Sequence, residues 1–378
     1  MTVNGDISGQ INAVDLHPPQ SITLMITDKC NLFCRHCWLD CCTLDRSAPV
    51  PGRKVMDLVD DFAKMGGTRI NLTGGEVLSH PEWHSVLTFC SEHSRIDGVC
   101  LQTNGILLTH EKIEALQKMR TDKLALQVSL DGARARTHDL VRGPGSFYRA
   151  MAGLRLLVEA GLGHRTRVAF TEMAHNIHEL PELLEILDDM GIGRLVSGTV
   201  VMGGRAAASK RINLPMPVQY WELIDYYQSD VIFKALYDRK ANVAAIEWFK
   251  NRTNTSSSTC SCLEHMFVDA RGYLYPCTML LLDRYAVEGA YTQPLDRTLQ
   301  KALSKWGEIP VLSRERHRRI ASCSRCDFVD QCGGGCMGRA ASINGELMAP
   351  EDRCALRKAV YQWTNLPSVA SFCSKPKR

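Results

Sequence analysis

The sequence has little net charge, no long apolar run and no export signal. Its 45 Lys and Arg residues face 41 Asp and Glu, leaving +4 over 378 residues. So even a balance gives no sign of a basic nucleic-acid surface, and no nucleic-acid partner is expected. No stretch of about 18 uninterrupted apolar residues occurs, so no membrane span is expected. The start, Met1-Thr-Val-Asn-Gly-Asp-Ile-Ser-Gly-Gln10, lacks a basic segment followed by an apolar one, which points to a cytoplasmic protein. There is no internal repeat of solenoid period. What remains is ordinary for a soluble enzyme: 45% hydrophobic and 23% charged residues, unlike the composition of disordered chains. At 378 residues and 42.2 kDa, one large α/β domain with a smaller appendage is the natural division.

The one excess is cysteine, with 16 copies. Disulfides would not persist in a reducing compartment, so these thiols are expected to hold metal.

Strand-like runs occur at Ser21 to Thr27, Arg69 to Thr73, Val99 to Thr103, Leu124 to Leu130, Arg167 to Thr171 and Arg194 to Val201. Helical stripes lie between them: Val55, Leu58, Val59 and Phe62; Ile113, Leu116 and Met119; Met151, Leu154, Leu157 and Val158; Leu183, Leu184, Ile186 and Leu187. Gly66, Gly161 and Gly191 stand where three of these helices should stop. Six strand–helix alternations predict a parallel sheet with crossover helices, as a curved partial barrel or an open doubly wound sheet. After Pro215 the alternation ends. Residues 216–250 read as mixed helix, the polar run Asn251 to Thr259 as a linker, and the cysteine- and glycine-rich remainder as a region organised by metal. The expected organisation is an extension over 1–20, a core over 21–215, a helical bridge and linker over 216–259, a cysteine-rich domain over 260–365 and a tail over 366–378.

Directly after the first strand come Cys30-Asn-Leu-Phe-Cys34-Arg-His-Cys37, at the strand end where α/β folds place active sites. Three close thiolates suit three irons of a [4Fe–4S] cube. Either Cys41 or Cys42 completes the set, or the fourth iron stays open. A zinc knuckle is the plainer reading, but it pairs Cys-x2-Cys with a second pair, and this triplet does not.

With the aromatic His36 before its last cysteine, Cys-x3-Cys-x2-Cys resembles the radical S-adenosylmethionine (SAM) superfamily. The resemblance implies a partial (βα)6 TIM-like barrel and an open iron that chelates the amino and carboxylate groups of SAM. Thr73-Gly74-Gly75-Glu76 is similar to that family's Gly-Gly-Glu motif, which contacts the SAM amino group; Val77 replaces the usual proline, which brings no ligand atom. Glycine would let the backbone approach the ligand, and Glu76 would pair with the ammonium. Gln102-Thr103-Asn104-Gly105 and Val128-Ser129-Leu130-Asp131-Gly132 match positions around the ribose and carboxylate of SAM, making Asn104 and Ser129 binding residues by resemblance. Arg142, in His138-Asp139-x-x-Arg142-Gly143, is placed to clamp the SAM carboxylate. Arg205, in Met202-Gly203-Gly204-Arg205-Ala206, matches a Gly-Arg pair near SAM, a helix cap or surface charge being the plainer reading.

Downstream, Cys262, Cys277, Cys323-x2-Cys326-x5-Cys332-x3-Cys336 and Cys354 match the SPASM extension of radical SAM enzymes, which holds auxiliary [4Fe–4S] clusters. By resemblance Cys262, Cys277 and Cys336 serve an inner cluster, and Cys323, Cys326, Cys332 and Cys354 an outer one. Gly333, Gly334 and Gly335 allow tight folding around sulfur. Related enzymes often take the inner cluster's fourth ligand from before Cys262, where Ser256, Ser257 and Ser258 stand; Cys260 is the only nearby thiol, and an open iron is the alternative. Zinc is the plainer reading of both sets. Cys90 and Cys100 read as small buried apolar residues; Cys373 has no role, and Cys41 or Cys42 is a candidate hydrogen donor to a substrate radical.

The resemblance implies three [4Fe–4S] clusters and SAM, with an external electron donor of flavodoxin or ferredoxin type. Reductive cleavage of SAM would give a 5′-deoxyadenosyl radical that abstracts a substrate hydrogen, and the auxiliary clusters would take up the substrate radical's electron. Relatives of this type mostly modify ribosomally made peptides, so a peptide is the expected substrate. The first strand begins near Ser21, leaving no room for a fused peptide-recognition domain, so a separate recognition protein is expected. Thr278 stands where sulfatase-maturing relatives carry an aspartate base, which argues against that activity. The alternatives are a dehydrogenase or epimerase of a sugar or aminocyclitol intermediate and, from another class, a non-catalytic iron–sulfur scaffold or electron carrier.

Overall fold

The computed structural model describes residues 9, 19–41, 48–120, 122–254 and 260–363. The six expected strands form: β1 Ser21–Met25, β2 Arg69–Thr73, β3 Gly98–Thr103, β4 Leu124–Ser129, β5 Thr166–Glu172 and β6 Arg194–Thr199. They are parallel and neighbours in chain order. Every residue of β1 is buried, because this central strand is covered on both faces. The helix Gly52–Lys64 lays Val55, Leu58, Val59 and Phe62 against the sheet. The helix Ser146–Glu159 buries Met151, Leu154 and Leu157, and Leu180–Asp189 buries Leu183, Leu184 and Leu187. The second stripe runs past its helix, which ends at Gln117 and leaves Met119 in the following turn.

Four strands beyond the six lengthen the sheet. β7 Ala241–Asn242 joins β6, while β8 His265–Val268 pairs in parallel with β1. β9 Tyr273–Tyr275 and β10 Val287–Glu288 follow β8 antiparallel. The order β10-β9-β8-β1-β2-β3-β4-β5-β6-β7 is that of an open, partial barrel. The cysteine-rich region therefore continues the same sheet, and one apolar core runs from Ile22 to Val360.

Residues 216–250 fold as the helices Pro217–Ser229, Val231–Lys240 and Ala244–Lys250. The first is tied to the last helix, Cys354–Gln362, where the Trp221 indole donates to the Ala359 carbonyl at 2.6 Å. Residues 255–259 of the linker, with Ser256, Ser257 and Ser258, lie outside the described residues, as do Cys42, Cys373 and the tail over 366–378. Among the described residues no helix is long and apolar enough to cross a membrane, and all 14 described cysteines are free.

Candidate active site

The loop after β1 carries the first three cysteines over the carboxyl ends of the strands. Cys30, Cys34 and Cys37 line one cavity of about 530 Å³. The loop is fixed by hydrogen bonds to neighbouring elements. The Arg35 amide donates to the Val141 carbonyl at 2.8 Å, and the Trp38 indole to the Thr278 carbonyl at 3.0 Å. Arg205 donates through Nε to the Cys34 carbonyl at 2.7 Å and through Nη1 to Asp40 at 2.9 Å and the Cys41 carbonyl at 2.6 Å, while stacking on Phe33. Arg205 borders the cavity, and these bonds also make it a brace for the cysteine loop. Gly204 lies directly under the loop at φ 53°, where a Cβ would come within 2.4 Å of the Cys37 carbonyl oxygen.

Burial pushes the Cys30 thiol up to about 12 and raises that of Cys34, against which the Arg142 charge acts. Cys37 moves the other way, down to about 6, because the Cys41 thiol donates to it and Arg205 lies close. Cys41 is buried and lines a second cavity, behind the one that the other three share.

The expected motif residues meet around the first cavity. Gly74, Gly75, Asn104, Ser129, Arg142 and Arg205 all line it. Gly75 is needed for a different contact from the one expected. A Cβ there would fall 2.3 Å from the Lys29 carbonyl oxygen, so the glycine lets β2 dock on the backbone that leads into Cys30. Glu76 lies just behind the cavity wall. It is 1% exposed, does not line the cavity, and accepts from Thr103 Oγ1 at 2.7 Å, the Asn104 amide at 2.7 Å and the Leu78 amide at 3.0 Å. With its carboxylate enclosed by these donors, it ties the end of β2 to that of β3. Asn104 in turn donates to Asn31 Oδ1 at 2.7 Å, next to Cys30.

Asp131 is the partner that motif reading missed. Fully buried, it accepts from Arg142 Nε at 2.7 Å and the Thr171 amide at 2.8 Å. Burial alone would raise its carboxyl, but the Arg142 guanidinium, with His36 and His138 beside it, holds it well below the usual range. Burial lowers His36 and His138 to about 4, so both imidazoles are neutral at pH 7 and Arg142 is the charge that acts there. The pairing leaves Arg142 oriented on the cavity wall.

Behind this chamber lies the second cavity, of about 550 Å³, which shares Trp38 and Leu39 of the cysteine loop and Phe267 of β8 with the first. Asp28, Asp40, Asp269 and Asp283 supply its acidic groups and Tyr275, Leu281 and Leu282 part of its apolar wall. No sequence signal marked it, because it forms only where the loop after β1 faces β8 and β9.

The later cysteines gather in two groups. Cys323, Cys326, Cys332 and Cys354 surround a small cavity of about 30 Å³ with Phe328, Val329 and Tyr361. Cys260 and Cys277 are both hydrogen-bonded through sulfur to Cys262, and Cys336 lies near Cys277. The Cys336 amide donates to Glu351 at 3.1 Å. The four soft donors of each group and a buried, unpartnered Arg316 Nη1 between the groups fit anionic iron–sulfur clusters. Among the described residues no three His, Cys, Asp or Glu side chains converge as the ligands of one ion do. Thr278 and Met279, next to Cys277, form part of the wall of the first cavity. Cys90 and Cys100 are both buried as expected, and Cys100 also accepts from Arg167 at 2.8 Å.

Residues 24–190 match the radical SAM superfamily. The mycofactocin maturase MftC of Mycobacterium ulcerans is 25% identical over 343 residues, 90% of this chain and 88% of the relative. The AdoMet-dependent heme synthase of Methanosarcina barkeri is 25% identical over 356 residues, 90% of this chain and 97% of the relative. Among solved structures, Streptococcus suis SuiB bound to its precursor peptide SuiA superposes with a TM-score of 0.71 at 17% identity, covering 94% of this chain and 79% of SuiB. Native anSMEcpe with bound AdoMet gives 0.71 at 18% identity, covering 91% and 96%. These two share the fold.

Proposed function

We propose that this chain, a radical SAM enzyme with a C-terminal cysteine-rich SPASM-type region, oxidises a ribosomally made peptide held between its first cysteine triplet and the Cys277 group. The carrying observation is that Cys30, Cys34 and Cys37 share one cavity with Thr278 and Met279, beside Cys277. A substrate in that chamber would lie between two iron–sulfur sites. Peptide as substrate draws further support from the maturase relative and from SuiB, whose structure holds its precursor peptide.

In this reading Cys30, Cys34 and Cys37 hold the N-terminal cluster. Cys41 is left out because it faces the other cavity. When bound, the cluster and SAM supply a 5′-deoxyadenosyl radical able to take hydrogen from an unactivated carbon. The chain's own share is placement. Gly74 and Gly75 offer backbone on the cavity wall, Asn104 and Ser129 offer polar groups beside it, and Arg142, aimed by Asp131, offers the charge for a carboxylate. Trp38, Leu39 and Phe267 border both cavities, and in this reading the peptide would enter from the second. Cys260, Cys262, Cys277 and Cys336 would hold the inner auxiliary cluster and Cys323, Cys326, Cys332 and Cys354 the outer one, together accepting the electron that completes a two-electron oxidation. A flavodoxin- or ferredoxin-type donor and a separate peptide-recognition protein complete the scheme.

The test is anaerobic reconstitution followed by reduction with SAM. Iron and sulfide should approach three cubane clusters, and 5′-deoxyadenosine should form. Replacing Cys30, Cys34 and Cys37 together by alanine should abolish SAM cleavage and leave the C-terminal iron in place. Absence of 5′-deoxyadenosine from the intact protein with every candidate substrate would leave a scaffold or electron carrier. A small-molecule substrate has its own support, since the heme synthase matches as much of this chain at the same identity. Turnover of a tetrapyrrole in place of peptide would decide for it.

A further inference from the structure

Arg316 lies on the helix Glu308–Arg319 and is 1% exposed. Its Nε donates to the Gly334 carbonyl at 2.9 Å and its Nη2 to the Ala349 carbonyl at 2.5 Å, while Nη1 is buried with no partner. The nearest carboxylate, Glu351, is engaged by Arg353, Arg357 and the Cys336 amide. The other groups that act on the guanidinium are thiols: Cys323 from one group of cysteines, Cys336 and Cys260 from the other. One turn earlier on the same helix, Ser313 Oγ accepts from the Cys260 amide at 3.0 Å. A buried cation with an unmatched N–H is costly unless anions close its environment. Two thiolate-held clusters would provide them.

We propose that Arg316 is a positioning residue common to both auxiliary clusters, its free Nη1 donating to cluster sulfur and its charge favouring their reduced states. Reduction adds an electron to an already anionic centre, so an adjacent buried cation and a hydrogen bond to sulfur both raise the reduction potential. The inference rests on the reading that both C-terminal groups of cysteines hold clusters.

It is tested by redox titration of the anaerobically reconstituted holoenzyme followed by electron paramagnetic resonance, comparing wild type, Arg316→Gln and Arg316→Lys. In Arg316→Gln the reduced-to-oxidised ratio of the auxiliary clusters at fixed potential should fall about tenfold, 59 mV for a one-electron couple. The N-terminal cluster should titrate unchanged, and Arg316→Lys, which keeps the charge, should fall between. Auxiliary clusters that titrate as in wild type, or a shift shared equally by the N-terminal cluster, would overturn the proposal. If Arg316→Gln cannot retain C-terminal iron, Arg316→Lys decides. A downward auxiliary shift there supports tuning; wild-type titration, or loss of auxiliary iron from both variants, leaves Arg316 a purely structural role. Wild-type holoenzyme without auxiliary signals would instead sink the cluster reading beneath the proposal.

Discussion

Asp131 is 0% exposed and meets Arg142 at 2.7 Å. Both charges are withdrawn from water, so neither is tolerable alone: removing one partner of a buried pair costs about 3–5 kcal/mol. Asp131→Asn should therefore lower unfolding stability by about that amount at pH 7, measured by urea titration, and should weaken SAM binding by releasing Arg142. The pH dependence has a definite sign. The folded-state carboxyl is held below its usual range, so its stabilisation is present above the unfolded value, roughly pH 3.9, and is lost as pH falls further. Between pH 7 and pH 3 the gap between wild type and Asp131→Asn should narrow. A constant gap would show that the carboxylate's charge contributes nothing. Arg205 and Glu76 belong to the same scale. Each matches a position that resemblance assigns to SAM, and each also bonds to protein partners that hold the cysteine loop and its neighbouring backbone in place.

At the scale of elements, the site depends on three loops leaving the carboxyl ends of β1, β2 and β6 and packing backbone to backbone. The Gly75 amide donates to the Thr27 carbonyl and the Glu76 amide to the Lys29 carbonyl, both at 2.8 Å, and the Arg205 amide donates to the Cys37 carbonyl at 3.1 Å. A side chain at Gly75 would meet the Lys29 main-chain oxygen, which cannot turn aside as a flexible side chain can. Gly75→Ala should therefore displace the cysteine loop, lowering stability by about 1–3 kcal/mol and sharply reducing N-terminal iron while sparing the C-terminal iron. Thermal unfolding with an iron assay checks it. Full N-terminal iron loading at unchanged stability would show that the loop has room to move.

At the scale of the molecule, Arg339 links the cysteine-rich region to the barrel. It is 3% exposed, donates to Asp352 through Nε and Nη2 at 2.7 Å each, and reaches the Thr199 and Val200 carbonyls, at the end of β6, at 3.0 and 2.5 Å. Arg339→Ala leaves Asp352 buried without this partner and should cost about 3–5 kcal/mol. The denaturation transition should broaden or split as the two regions lose their coupling. A single transition at the wild-type midpoint would rule out that coupling. Together with the pairing of β8 on β1, this contact explains how the first cysteine triplet and the residues beside Cys277, about 240 positions later in the chain, come to border one chamber.

The barrel strands, their helices and the first cysteine triplet were legible in the sequence because each has local causes, whereas the grouping of the later cysteines was read from resemblance alone. Period-3.6 stripes such as Val55 to Phe62 bury one helical face, and a Cys-x3-Cys-x2-Cys loop places its thiols close together whatever surrounds it. The motifs also marked which segments meet at the cavity. What each side chain does there was settled only by the fold. Hydrogen bonds and buried charges seek partners across sequence separations that no local pattern encodes: Arg142 with Asp131, Arg205 with Asp40, Trp38 with Thr278, Arg316 among Cys260, Cys323 and Cys336. The second cavity and the continuation of the barrel sheet into the cysteine-rich region likewise arise from the approach of distant backbone. In a buried site a polar group's partner is whichever group the packing delivers, and the tertiary structure alone decides that.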